Sequence, residues 1–210
     1  MTDTITTSSD PSAPPISPEH ATAVRNWVRS LDVLERAIRT ADPARWDGPS
    51  PCAEWTARQV AGHAMHFLTN VVQLADEGPD PDFFAEVDPV EFAGDDPSAT
   101  WTAVRHRIET ELLQRPDRLV NVRLTPLGVE MPVVDLLLFQ GMDPVVHAWD
   151  VATATGGIVD IPDDLATDYR ARFAPVGEVL RESGRLGPET EPIGDGPVGE
   201  LLGFCGRVQP

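Results

Sequence analysis

The chain has 210 residues, 34 acidic and 16 basic side chains, and a formal net charge of −18. All 16 bases are arginines. A surface this acidic repels phosphate backbones and anionic lipid, which argues against nucleic acid and membranes as partners, while the length suffices to bury a substantial core.

The N-terminus, MTDTITTSSDPSAPPIS, has neither a basic n-region nor an apolar h-region, so it does not read as a secretory signal. Its Ser, Thr and Pro content predicts a disordered tail over residues 1–16, followed by a single helical domain over 17–210. Two cysteines, Cys52 and Cys205, make no disulfide framework. No apolar run approaches the roughly 20 residues that span a bilayer. These features predict a cytoplasmic protein.

Ser17-Pro18 places a cap and a first-turn proline at the start of a helix. Val24, Trp27, Val28, Leu31, Leu34 and Ile38 carry it at helical spacing to about Thr40. A Pro-rich connection, ADPARWDGPSPCAEW, follows. Thr56-Ala57-Arg58-Gln59 is a capping box that predicts a second helix to about Asp76, with Val60, Ala64, Phe67, Leu68, Val71 and Leu74 on its apolar face. An acidic loop with short turns is expected over residues 77–97, then a third helix after Asp96-Pro97 marked by Trp101, Val104, Ile108 and Leu112.

The segment RLVNVRLTPLGVEMP alternates at Val120, Val122 and Leu124 and predicts a short β-hairpin turning at Pro126-Leu127-Gly128. Val133–Thr155 reads as one central helix, stopped by Gly156-Gly157 and kinked by Pro144 against the Gln140 carbonyl. Pro162–Ser183 reads as a fifth helix with a kink at Pro175, and the tail GPVGELLGFCGRVQP as one short helix. The fold class is mainly α: a four-helix bundle with a short β-hairpin and extra C-terminal helices.

The chemistry gathers on two helices. His63 falls at the inner edge of the second helix's apolar arc, whereas His66 falls outside it. Asp143 and His147 stand at i and i+4, so their side chains share one face about 6 Å apart at Cβ. A buried carboxylate either protonates or demands a cation, and two imidazoles with one carboxylate can bind a divalent metal between facing helices. An Asp–His hydrogen bond without metal is the other reading of that spacing. Pro144 has two possible consequences: it turns Asp143 toward a metal or displaces it. Asp150 lies three residues past His147 and can accept the free ring N–H of a metal-bound histidine, or bond instead to backbone or to an arginine. Trp55 and Trp149 read as core or rim aromatics, Cys52 as a small buried hydrophobe, and His20 and His106 as surface residues. The sequence shows no phosphate-binding Gly-rich loop, no GxSxG elbow and no basic stripe.

Three segments carry a resemblance. SPCAEWTARQVAGH (50–63) resembles the Pro-Cys-x-x-Trp…His segment of the mycothiol-dependent maleylpyruvate isomerase N-terminal domain, within the DinB-like superfamily. DPVVHAWDVATATG (143–156) resembles that family's acid-x-x-x-His-x-Trp-Asp segment. The ending GELLGFCGRVQP is similar to a single-domain actinobacterial branch described as metal-binding. The resemblance runs from about residue 18 to the C-terminus and implies a DinB-like fold. It implies metal ligands at His63, Asp143 and His147, with Asp143 replacing the family's commoner Glu. It also implies a divalent metal, zinc ahead of nickel or iron, with mycothiol as cosubstrate and a small electrophile as substrate. In the isomerase a further C-terminal domain contributes to the active site, and 210 residues leave no room for one, so maleylpyruvate isomerisation itself is not assumed. Three protein ligands leave an open position, as in catalytic zinc sites. The expectation is a thiol-dependent transferase or isomerase, the alternative a non-catalytic metal- or ligand-binding stress module.

Overall fold

The computed structural model describes residues 17–75, 87–114, 122–124, 129–131 and 133–209. The expected tail over 1–16, the acidic stretch 77–86 and the turn at 126–128 lie outside the described residues.

Helix α1 spans Pro18–Thr40, with the Ser17 hydroxyl accepting from the His20 amide at 3.1 Å. Ala23, Trp27, Leu31, Leu34 and Ile38 line its buried face. Helix α2 spans Ala57–Ala75. Its capping box forms reciprocally: the Thr56 amide donates to Gln59 Oε1 at 2.8 Å, and the Gln59 amide donates to Thr56 Oγ1 at 3.3 Å. The short helix α3, Pro89–Ala93, is capped by Asp88, and α4, Pro97–Arg107, by Asp96. A π-helical turn over Ile108–Leu113 prolongs α4 and buries Ile108 and Leu112. Strands β1 (Val122–Leu124) and β2 (Val129–Met131) pair antiparallel, with Val122 opposite Met131.

The central segment departs from the expected single helix. It is two helices, α5 (Val133–Gln140) and α6 (Met142–Thr155), separated at Gly141. A Cβ on Gly141 would lie 1.7 Å from Tyr169 Oη, so only glycine lets the C-terminal helices close on the break. Trp27 Nε1 donates to Gln140 Oε1 at 2.9 Å, and Gln140 Nε2 donates to the Phe67 carbonyl at 3.0 Å. That buried amide ties the break to α1 and α2. Pro144 then falls in the first turn of α6, where amides have no intrahelical partner, so its missing N–H costs nothing. The kink expected at Pro144 is therefore a break just before it, and Asp143 keeps its place on the helix.

Gly156, at φ 73°, ends α6 in the left-handed conformation. The expected fifth helix is likewise divided: α7 spans Asp163–Phe173, a 3₁₀ turn over Ala174–Val176 holds Pro175, and α8 spans Gly177–Glu182. Helix α9, Pro197–Phe204, packs against α7. Helices α1, α2, α4 and α5–α6 make the bundle, with α6 in contact with both α1 and α2. Trp27, Leu31, Met65, Leu68, Trp101, Leu137 and Val145 are among the side chains sealed in its core. No helix among the described residues is long and apolar enough to cross a membrane.

Candidate metal centre

The contact between α2 and α6 brings His63 across from Asp143 and His147. Asp143 Oδ1 lies 3.4 Å from His147 Nε2 and 3.7 Å from His63 Nε2. The two imidazoles meet edge to face with centroids 5.2 Å apart. One ligating atom from each of the three residues falls within 4.8 Å of the others. Three donors at about 2.0–2.1 Å from a tetrahedral zinc ion would stand roughly 3.4 Å apart, close to the observed separations.

Asp143 supplies a second indication. Its Oδ2 is buried and has no hydrogen-bond partner among the described residues. An orphaned carboxylate oxygen is costly, and a cation satisfies it. The donor set therefore fits a divalent ion. Burial pushes the Asp143 carboxyl up, but His147 and His63 outweigh it and hold it far below the usual carboxylate range. His147 is pulled down by burial, yet Asp143 and Asp150 raise it to about 9. Asp143 also stands in the first turn of α6, where the helix dipole favours a negative charge.

The far side of His147 is closed. Its Nδ1 faces Asp150 Oδ2 at 2.9 Å, and Asp150 is fully buried. Arg207, from the segment after α9, grips the same carboxylate: Nη2 donates to Oδ2 at 2.6 Å and Nε to Oδ1 at 3.1 Å. Burial would raise the Asp150 carboxyl, but the bonds from His147 and Arg207 together hold it below its ordinary value. Of the partners the sequence left open for Asp150, the histidine and the arginine thus occur together.

The loop between α1 and α2 forms the rim. Pro49 and Thr56 bridge, the Ser50 amide donates to the Trp55 carbonyl at 2.9 Å, and the Trp55 amide donates to the Cys52 carbonyl at 3.1 Å. Glu54 takes a φ of 68° to close this turn. The turn sets the Trp55 ring edge-on to His63, centroids 4.9 Å apart, and brings Cys52 beside His147 and Asp150. Phe67, one helical turn past His63, stacks parallel to it at 6.3 Å.

His63, Asp143, His147 and Asp150 are thus brought together. His66 turns away and packs edge-on against Phe92 at 5.3 Å. His106 is exposed as expected, but His20 is not a partnerless surface residue, because its Nε2 meets Asp135 Oδ1 at 3.2 Å. Cys52 is half-buried against the core, yet it also lies at the site. Arg207 had no individual signal in the sequence; the only pointer was its place in the Gly-Arg ending.

The sequence model of the mycothiol maleylpyruvate isomerase N-terminal domain matches residues 27–152, a stretch that includes His63, Asp143, His147 and Asp150. The chain belongs to that family. Two uncharacterized proteins of Mycobacterium tuberculosis, from strains CDC 1551 / Oshkosh and ATCC 25618 / H37Rv, are each 28% identical over 183 residues, covering 86% of this chain and 94% of the relative. The crystal structure of the mycothiol-dependent maleylpyruvate isomerase superposes with a TM-score of 0.55 at 18% identity, covering 79% of this chain and 72% of that one. A histidine-to-alanine mutant of it gives 0.53 at 19% identity with the same coverage. These likenesses confirm the mainly helical fold expected from the sequence. Arg207 lies beyond the matched stretch.

Proposed function

We propose that this protein is a divalent-metal-binding, thiol-dependent isomerase or transferase, a single helical domain from residue 17 onward, with His63, Asp143 and His147 as metal ligands. The observation that carries the reading is the buried, unpartnered Asp143 Oδ2 beside two imidazoles. Zinc suits two nitrogens and one oxygen, and nickel or iron would be accepted by the same set. Bound there, the ion would lower the pKa of a thiol such as mycothiol and so supply a nucleophile for a small electrophilic substrate.

The protein's own residues do the rest. Asp150 holds the His147 ring by its Nδ1, which leaves Nε2 directed at Asp143. Trp55 and Phe67 flank His63 and fix its plane while leaving the ring partly open to solvent. The open side of the site is thus at His63, where a small molecule can enter. The family supports the thiol, and the acidic surface supports small-molecule rather than nucleic-acid partners.

The test is elemental analysis of protein purified without an affinity tag. One transition-metal equivalent per chain is expected, abolished by His63→Ala or His147→Ala, together with mycothiol binding that disappears on chelation. A metal-free protein that gains no thermal stability from added Zn²⁺ would sink the reading. Metal and thiol binding without turnover of any electrophile would leave the non-catalytic binding module in its place.

A further inference from the structure

A second group of ligating atoms lies behind the first. Cys52 Sγ, a His147 ring nitrogen and an Asp150 oxygen fall within 4.8 Å of one another. A thiolate, an imidazole and a carboxylate are a set that zinc and cobalt accept. Here two members of that group, Asp150 and His147, already face a cation, the Arg207 guanidinium.

We propose that Arg207 is a positioning residue: its guanidinium fills the cation place among Cys52, His147 and Asp150, closes that group to metal, and keeps His147 Nε2 directed at His63 and Asp143. The inference rests on the reading that those three residues hold the ion. Its support is geometric. A guanidinium has only donors, and Arg207 spends three of its nitrogens on Asp150 Oδ1, Asp150 Oδ2 and the Cys205 carbonyl at 3.1, 2.6 and 3.0 Å. Arg207 Nη2 donates to Asp150 Oδ2 at 2.6 Å and stands at the longer distance of 3.5 Å from His147 Nδ1, so its strong bond is to the carboxylate. An ionised carboxylate only accepts, so Nδ1, at 2.9 Å from that same oxygen, is the N–H donor, and when the ring gives up its other proton to an ion it is Nε2 that offers the lone pair.

The delivery of this group is rigid. The Arg207 amide donates to the Leu202 carbonyl at 2.9 Å, the Thr190 hydroxyl donates to the Arg207 carbonyl, and the Thr190 amide donates to the Gly203 carbonyl at 2.9 Å. Arg207 is only 12% exposed at its side chain and Asp150 is 0% exposed, so water does not compete for the pair. A segment 57 residues after Asp150 thereby sets the orientation of a ring on α6.

Cobalt titration tests it, because thiolate ligation gives a sulfur-to-cobalt charge-transfer absorption that imidazole and carboxylate ligation does not. Wild-type protein should bind Co²⁺ without that band. Arg207→Met should show it and should bind at the original site about tenfold more weakly. The double variant Arg207→Met with Cys52→Ser should lose the band. Should Arg207→Met fail to fold, Arg207→Lys carries the test: the charge is kept but an ammonium cannot span both Asp150 oxygens, so affinity should fall about tenfold. A slowly exchanging His147 Nδ1 proton is expected by NMR in metal-free wild type and should broaden in either variant. A spectrum and affinity matching wild type would overturn the inference. Failure of wild type to bind Co²⁺ at all would instead sink the function proposed above, while the band in Arg207→Met would still decide the role of Arg207.

Discussion

The two sides of the His147 ring are built to opposite standards. On the Nδ1 side, Asp150 is sealed from solvent and both of its oxygens are bonded, to His147 and to a two-pronged arginine. On the Nε2 side, Asp143 is partly exposed, its contacts to the two histidines are 3.4 and 3.7 Å long, and one oxygen is orphaned among the described residues. One side is complete with the protein's own groups. The other needs a cation from outside to reach the same condition. Burial alone does not mark a site, since the more buried carboxylate is the satisfied one. The unmet hydrogen-bonding capacity marks it.

The largest effect should come from breaking the closed side. Asp150→Ala leaves the Arg207 guanidinium buried without its carboxylate, and loss of one partner from such a pair costs about 3–5 kcal/mol. Chemical denaturation of the metal-free protein measures this. Adding Arg207→Met to Asp150→Ala should restore most of the loss, because removing both charges avoids the unpaired one. Equal destabilisation by the single and double variants would show that the pair is not what secures this side.

A smaller effect should follow from disturbing the break that places the open side. Gly141→Ala sets a methyl 1.7 Å from Tyr169 Oη, so α6 or α7 must shift, at about 1–3 kcal/mol of stability. Asp143 sits two residues later and moves with α6, so metal affinity should fall as well. Tyr169→Phe in the same chain removes the clashing oxygen and should recover part of both, at the cost of the 2.9 Å bond from Tyr169 to Ser30. Unchanged metal affinity in Gly141→Ala would separate the break from the site.

How much of this the sequence disclosed depended on distance along the chain. Asp143, His147 and Asp150 were readable as a group because i, i+3 and i+4 spacing puts them on one face of any helix. The Ser17 cap and the Thr56–Gln59 box are local in the same way, and both formed as expected. The division of the central helix was not readable, because it depends on Tyr169 filling the place of a Cβ at Gly141 and on Gln140 reaching Trp27 and Phe67. Pro144 drew attention to the right turn of helix, but the residue that permits the break is the glycine before it. Arg207 and the approach of Cys52 were out of reach for the same reason. Each meets the site only through tertiary packing, and neither residue type has a pattern that announces a partner 57 residues or more away.

Titration of the ring shared by both sides gives the gentlest probe. In the metal-free protein, burial lowers the His147 imidazole, but Asp143 and Asp150 prevail and raise it from 6.5 to about 9. A group raised on folding contributes its full stabilisation below its unfolded value and loses it as pH climbs through its folded value. Metal-free stability should therefore decline between about pH 6.5 and 9, by at most about 1.4 kcal/mol per pH unit. Metal affinity should move the opposite way over the same window, since an ion at Nε2 must displace a proton, and should gain up to about tenfold per unit. Paired denaturation and metal titrations at half-unit steps measure both slopes. Asp143→Asn removes the first of the two carboxylates that hold the proton, so both slopes should shrink and shift to lower pH. Slopes that do not change in that variant would mean that Asp150 alone sets the charge on the ring, and that Asp143 is not coupled to it across the gap where the ion is expected.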